Sequence, residues 1–208
     1  MNKGKFITFE GCDGVGKSTQ LKLLKNYLDE NKIDYILTRE PGGAKVSEKI
    51  REILKSAENN ICPECEALLY AAARAQIIEE TIIPALNENK LVVCDRFIDS
   101  SLAYQGAARN LGEDVILSIN AFAMKNIFPD LTVFLDLNPK DAFLRKGGAD
   151  SSDRLEMETL EFHDKIYRCY LALADKYSER IIKVNAARSE NEIQNEIIKI
   201  LKERKIIC

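Results

Sequence analysis

The chain has 208 residues, 46% of them hydrophobic, with 30 Lys and Arg against 33 Asp and Glu for a net charge of -3, which fits one globular domain spanning 1–208 with a single core. No global basic field exists to hold a nucleic-acid polymer, and no apolar run approaches the roughly 18 residues of a membrane-spanning helix. The N-terminal segment Met1–Gly14 carries only a short apolar stretch, Phe6 to Phe9, before a glycine-rich sequence, too little for a signal peptide. The expected location is therefore the cytoplasm, where the six cysteines are expected to be reduced thiols. Cys62-Pro-Glu-Cys65 has CxxC spacing but no second ligand pair, and the sole histidine, His163, reads as a solvated residue on a polar helical stretch.

Lys5–Glu10 is a β-branched and aromatic run ending at glycines, and Ser18–Glu30 carries Leu21, Leu24 and Leu28 at helical spacing, which predicts a strand, a tight loop and a helix. Tyr35–Thr38 predicts a second strand, stopped by Pro41-Gly42-Gly43 and followed by a helix over Val46–Leu54. A long helical pattern runs from Glu64 to Leu86. Leu91–Cys94 and Leu131–Leu135 are continuous apolar runs, as in parallel strands buried on both faces, and each is followed by a carboxylate, Asp95 and Asp136. A last strand is expected at Ile181–Val184, with an amphipathic helix through Ile193, Ile197, Ile198 and Leu201. Strands alternating with helices predict one doubly wound α/β domain with helices on both faces of a parallel sheet. Lys146–Asp153 is a polar, glycine-containing insertion with the composition of a mobile flap.

Gly11-Cys12-Asp13-Gly14-Val15-Gly16-Lys17-Ser18 fits GxxxxGK[ST] at every fixed position, after a strand and opening a helix. Its glycines let backbone N–H groups turn inward on phosphate oxygens, and the helix N-terminus adds its positive end. Lys17 reaches the outer phosphates and the Ser18 hydroxyl ligates magnesium in such loops. The motif predicts a nucleoside triphosphate ligand but is shared by switches, motors and kinases. Asn31-Lys-Ile-Asp34 matches a guanine-reading NKxD element but lies between the first helix and second strand, so it reads as an ordinary loop. Arg96 follows Asp95 off a buried strand, Arg39 leaves the second strand in the same way and Arg74 sits on the long helix. Ligands of open α/β sheets bind at those strand ends, and three guanidiniums there suit an anionic acceptor rather than water.

Phe9–Gln20, Thr38–Gly43, Leu68–Gln76 and Asp95–Gly106 together make the chain resemble bacterial thymidylate kinase, in order and over nearly its whole length. The resemblance implies the P-loop nucleoside monophosphate kinase fold with a five-stranded sheet, a short flap at about 145–156, and transfer of a phosphoryl group from ATP to dTMP with Mg2+, a step toward dTTP. By the same resemblance the loop from Gly11 to Thr19 holds ATP, Ser18 and Asp13 stand near the metal, and Asp13 also faces the sugar 3′-hydroxyl. Tyr70 would stack on thymine, Arg74 would donate to its 4-carbonyl, Ser101 would lie at the base edge, Arg96 would grip the dTMP phosphate and Tyr104 would lie against the deoxyribose. Arg39 and Gln105 complete the implied dTMP set, and Lys17, Arg96 and Arg154 the catalytic one. The phosphate loop contains no arginine whereas Arg145, Lys146 and Arg154 flank the flap, which resembles the members whose flap supplies the catalytic arginine, with Arg154 preferred to Arg145. Ala44 stands where the family usually has threonine. The family is commonly homodimeric, which implies a homodimer here. The alternatives are a kinase for another monophosphate or deoxynucleoside, and a P-loop switch or binding module.

Overall fold

The computed structural model describes residues 4–148 and 150–207. Strands β1 (Phe6–Glu10), β2 (Tyr35–Arg39), β3 (Leu91–Asp95), β4 (Leu131–Asp136) and β5 (Ile181–Asn185) form one sheet in the order β2-β3-β1-β4-β5, with every pairing parallel. Every residue of β1, and all but the last of β3 and β4, is buried. Because neighbours along a strand point to opposite faces, this means the sheet is covered on both sides, as the continuous apolar runs predict. Parallel register brings Glu10, Arg39, Asp95 and Asp136 out along one edge.

Around the sheet lie α1 (Lys17–Glu30), α2 (Lys45–Lys55), α3 (Pro63–Ile77), α4 (Ile83–Asn87), α5 (Ile98–Ser101), α6 (Glu113–Met124), α7 (Pro139–Lys146), α8 (Leu160–Lys176) and α9 (Glu190–Glu203). Here α1 packs on α9, and α3 packs on both α2 and α6. The single helix expected over Glu64–Leu86 is broken into α3 and α4 by a π-helical turn at Ile78–Ile82. Pro84, in the first turn of α4, has no N–H to give the preceding turn and its ring would collide with the carbonyl four residues back, so the helix widens there. A second such turn, Leu102–Ala108, continues α5. Several helix starts are capped by side chains at the position just outside: Asn138 accepts from Asp141 N at 3.0 Å, Thr159 from Phe162 N at 3.2 Å, and Ser189 with Glu192 forms a reciprocal capping box. Ala44, the corresponding residue of α2, makes no such bond.

The solvated reading of His163 is overturned: the residue is 2% exposed, edge-on to Phe143 and Phe162 with ring centroids 4.8 and 5.6 Å away. It shares the buried stripe of α8 with Ile166, Tyr170, Leu173 and Ala174, a three- and four-residue spacing that polar neighbours mask in the sequence. Burial pushes its pKa down.

Candidate active site

A cleft of about 500 Å³ opens along the carboxyl edge of the sheet, where ligands of open α/β sheets bind. At one end the β1–α1 loop supplies Asp13, Gly14, Gly16, Lys17, Ser18 and Thr19, while Cys12 and Val15, 2% and 1% exposed, turn into the core. Gly14 has a φ of +84° and a Cβ there would sit 2.4 Å from the Ala142 carbonyl, so the close passage of the loop over α7 admits only glycine. Gly16, with a φ of +100°, precedes α1 and makes no side-chain cap, which leaves the first N–H groups of the helix for a ligand. Lys17 folds over the loop, its Nζ donating to the Gly11 and Cys12 carbonyls at 2.9 Å each. Burial, reinforced by Arg96, pushes its pKa down.

At the other end the walls are Tyr70, Arg74, Phe97, Ser101, Tyr104 and Gln105. Arg74 is 1% exposed and spans the floor: Nε and Nη2 donate to Glu40 at 2.9 and 2.6 Å, Nη1 to Asn120 at 2.5 Å and Nη2 to Ser101 at 3.0 Å. Burial raises the Glu40 carboxyl, against the opposing pull of Arg74. Midway, Arg96 Nη2 donates to Asp13 at 2.7 Å and its guanidinium lies 5.0 Å from the centre of the Tyr104 ring, while the Tyr104 hydroxyl donates to the other Asp13 oxygen at 2.9 Å. Burial alone would raise the Asp13 carboxyl, but Arg96, Lys17 and the Tyr104 hydroxyl outweigh it and hold it well below the usual carboxylate range. Arg96 adopts a φ of +69°, a left-handed backbone that costs energy for a non-glycine residue and recurs at functional sites.

The cleft contains all three arginines expected from the strand ends and long helix, although Arg39 is tied to Glu48 by two contacts of 3.1 and 3.0 Å. Gln105 lines the cleft but gives its amide to Glu66 at 2.8 Å. The flap expectation changes most. Arg154 Nη1 is ion-paired to the fully buried Glu66 at 2.6 Å, its Nε donates to Leu54 O at 3.2 Å and its backbone N–H to Lys55 O at 2.9 Å. Asp153 makes an antiparallel bridge with Ser56 and an ion pair of 3.0 Å with Lys55. The second half of the flap is thus docked on α2 and α3, and among the described residues the flap cations that line the cleft are Arg145 and Lys146. Ala149 lies outside the described residues.

Sequence reasoning missed Arg51 and Lys55, which line the cleft from α2. Their i, i+4 spacing on a helix turned over the β2 end by Pro41-Gly42-Gly43 was the available signal. Burial, with Arg39 nearby, lowers the Arg51 pKa. It also missed Glu40, the partner of Arg74. The Asn31–Asp34 loop joins α1 to the opposite end of β2, away from the cleft.

A phosphate-binding loop facing an arginine-floored pocket across one cleft can place two anionic ligands end to end. A family model described as thymidylate kinase matches residues 9–197. The chain is 47% identical over 205 residues to the thymidylate kinase of Clostridium novyi (strain NT), covering 97% of this chain and 100% of the relative. It is 46% identical over 201 residues to the thymidylate kinase of Caldanaerobacter subterraneus subsp. tengcongensis, covering 97% and 96%, and 48% identical over 204 residues to that of Finegoldia magna, covering 97% and 100%. With the motifs, the cleft and the whole length of the chain in agreement, the chain belongs to the thymidylate kinase family.

Proposed function

We propose that the protein transfers the terminal phosphoryl group of ATP to the 5′-phosphate of dTMP, yielding ADP and dTDP. The observation that carries this reading is the single cleft in which the Gly11–Thr19 loop faces Tyr70, Arg74, Arg96 and Tyr104. The loop and Lys17 hold the ATP phosphates. Arg96, with Arg39 and Arg51 beside it, holds the acceptor phosphate. Tyr70 and Phe97 offer faces to the base, and Tyr104, braced on Asp13, meets the sugar. Arg74 uses four of its N–H groups on Glu40, Asn120 and Ser101, and of the five a guanidinium carries the one left on Nη1 is available for the thymine 4-carbonyl. No side chain does covalent chemistry; the two phosphates are aligned and their developing charge is neutralised.

Magnesium fits the oxygens present. Asp95 lines the cleft and its Oδ1 is buried without a partner, whereas both oxygens of Asp13 are engaged by Arg96 and Tyr104. The Ser18 hydroxyl and Asp95 would therefore hold the ion, and Asp13 would serve the acceptor side. Bound there, Mg2+ would screen charge on the ATP phosphates. Arg145 and Lys146 take the catalytic role in the flap, because they line the cleft while Arg154 anchors the flap to Glu66.

A homodimer is part of the same proposal. Leu68 of α3 and Val115 and Phe122 of α6 are 57%, 46% and 89% exposed on helices that pack together, an apolar face that a second copy would cover. Among the described residues no helix is long and apolar enough to cross a membrane, and cytoplasmic residence agrees with the nucleotide substrates. Steady-state assays of ATP against a panel of monophosphates test the function. We expect dTMP to exceed dCMP by about ten- to a hundredfold in kcat/KM, since a donor facing the cytosine 4-amino group costs roughly 1 to 3 kcal/mol. Equal turnover of dCMP would refute the base assignment.

A further inference from the structure

Glu10 ends β1 with its side chain fully buried, and it does not line the cleft. Its Oε1 accepts from the backbone N–H groups of Phe97 at 2.7 Å and Ser100 at 3.3 Å. Its Oε2 accepts from the Ser100 hydroxyl at 2.6 Å and the Tyr170 hydroxyl at 2.9 Å. Those same hydroxyl oxygens face Arg96, whose Nη1 is 3.1 Å from Ser100 Oγ and 3.4 Å from Tyr170 Oη. A hydroxyl has one proton and two lone pairs. The two hydroxyl oxygens also lie 2.9 Å apart; with the Ser100 proton on Glu10 and the Tyr170 proton shared between Glu10 and Ser100, lone pairs on both turn to the guanidinium. The Tyr170 ring is itself fixed by stacking on Phe134 at 5.2 Å. Glu10 thus braces Arg96 twice, through the side-chain hydroxyls and through the Phe97 and Ser100 amides that hold the turn in which Arg96 takes its positive φ.

We infer that Glu10, acting through Ser100 and Tyr170, is a positioning residue that aims Arg96 at the acceptor phosphate and so sets the KM for dTMP without touching substrate. The inference rests on the assignment of Arg96 to that phosphate. The charged and titratable groups around Glu10 come from several elements: Asp99 of α5, Arg96 after β3, Tyr170 of α8, and Arg180, which is paired with Asp99 at 2.7 Å. Burial, reinforced by Asp99, raises the Glu10 carboxyl to about 7, against the pull of Ser100, Arg96 and Tyr170. Protonated Glu10 is a poorer acceptor for the two hydroxyls, which a Gln side chain imitates.

Initial rates at saturating ATP, with dTMP varied from about pH 5.5 to 8.5, test this in the wild type, Glu10→Gln, Tyr170→Phe and Arg96→Lys. Glu10→Gln is expected to raise the dTMP KM about tenfold at the alkaline end and to leave the ATP KM within about twofold. The ratio of wild-type to Glu10→Gln kcat/KM should shrink toward one at the acid end. The second ionisation of the acceptor phosphate, near pH 6, bends both profiles alike and cancels in that ratio. Tyr170→Phe should raise the dTMP KM about threefold or more, and it keeps the test decisive if Glu10→Gln fails to fold. A pH-independent ratio, an ATP KM shifted as much as that for dTMP, or an unchanged dTMP KM in Tyr170→Phe overturns the inference. If Arg96→Lys leaves the dTMP KM unchanged, the phosphate assignment of Arg96 fails and the inference falls with it. A raised KM in Arg96→Lys beside a silent Glu10→Gln overturns the role of Glu10 alone.

Discussion

Replacing Glu66 with Gln removes one buried carboxylate that serves two cations. Glu66 is fully buried and faces Arg154 at 2.6 Å, Arg109 at 3.2 Å and the Gln105 amide at 2.8 Å, with the two arginine side chains 12% and 17% exposed. Arg109 keeps Glu158 at 2.6 Å, but Arg154 loses its carboxylate, and breaking a buried pair by removing one partner costs about 3 to 5 kcal/mol because the remaining charge is left uncompensated. In a chain of this size each kcal/mol lowers Tm by about 2 to 4 °C, so a drop of about 10 °C is expected. Arg154→Ala should cost less, about 2 kcal/mol, since Glu66 keeps Arg109 and Gln105. In the Glu66→Gln background the same Arg154→Ala change should cost less than about 1 kcal/mol, a coupling that thermal or urea unfolding of the two single variants and the double variant would measure. Kinetics on the same proteins separates an anchor from a catalytic cation. An anchor predicts a modest fall in kcat with partial rescue by Arg154→Lys. A transition-state contact predicts a loss on the order of a thousandfold at unchanged Tm. That second pattern, or strict additivity in the cycle, would refute the anchor.

Lys17→Met should cut kcat by at least about a hundredfold while far-UV circular dichroism stays that of the wild type, and activity within about tenfold of wild type would dismiss the phosphate-loop role of Lys17. Ala44→Ser should raise stability by about 1 kcal/mol, because the uncapped start of α2 gains a side-chain acceptor for its first N–H groups; an unchanged or lower Tm would count against it. Between the ordinary carboxyl value and the value of about 7 for Glu10, the folded chain keeps a proton that the unfolded chain has lost. The contribution of this group to stability is therefore full at acid pH and is lost as pH rises through 7. Melting curves across that window should show a steeper decline with rising pH in the wild type than in Glu10→Gln, and parallel curves would contradict the burial argument.

The family resemblance and the parallel sheet were legible because they rest on local signals: the glycines of the phosphate loop, and strands apolar at every position. Other parts were not. The α6 sequence Glu-Asp-Val-Ile-Leu-Ser-Ile-Asn-Ala-Phe-Ala-Met is apolar on nearly every side, so no 3.6-residue period stands out. The long helix was expected to run through Pro84, although that residue's missing N–H and its ring were the available signal for the π-helical turn that divides it. Arg154 was expected at the phosphates because an arginine beside a glycine-rich flap suits phosphoryl transfer. Its partner, Glu66, lies 88 positions earlier on α3, and that pairing exists only after the flap folds against α2 and α3. Glu10 was passed over for the same reason, since Ser100 and Tyr170 are brought to it from distant elements.

The two ends of the cleft hold their cations with different partners. At the end walled by Tyr70 and Tyr104, Arg74 and Arg96 are fixed by the side chains of Glu40, Asn120, Ser101, Asp13 and Ser100. Beside the Gly11–Thr19 loop, Lys17 is held by the Gly11 and Cys12 carbonyls, Arg145 by Ala186 O at 2.8 Å, and Lys146 by Glu156. A phosphate oxygen carries negative charge that the Gly11, Cys12 and Ala186 carbonyls lack, so on the proposed function bound ATP would compete with them for Lys17 and Arg145. Lys146 instead faces a carboxylate, that of Glu156, which also accepts from the Asp150 backbone at 2.8 Å. Arg154 and Asp153 are docked on Glu66, Lys55 and Ser56. On the proposed function, closure of the flap over ATP would bend at Gly147 and Gly148, whose φ of +85° and +111° few side chains adopt, ahead of that docked pair.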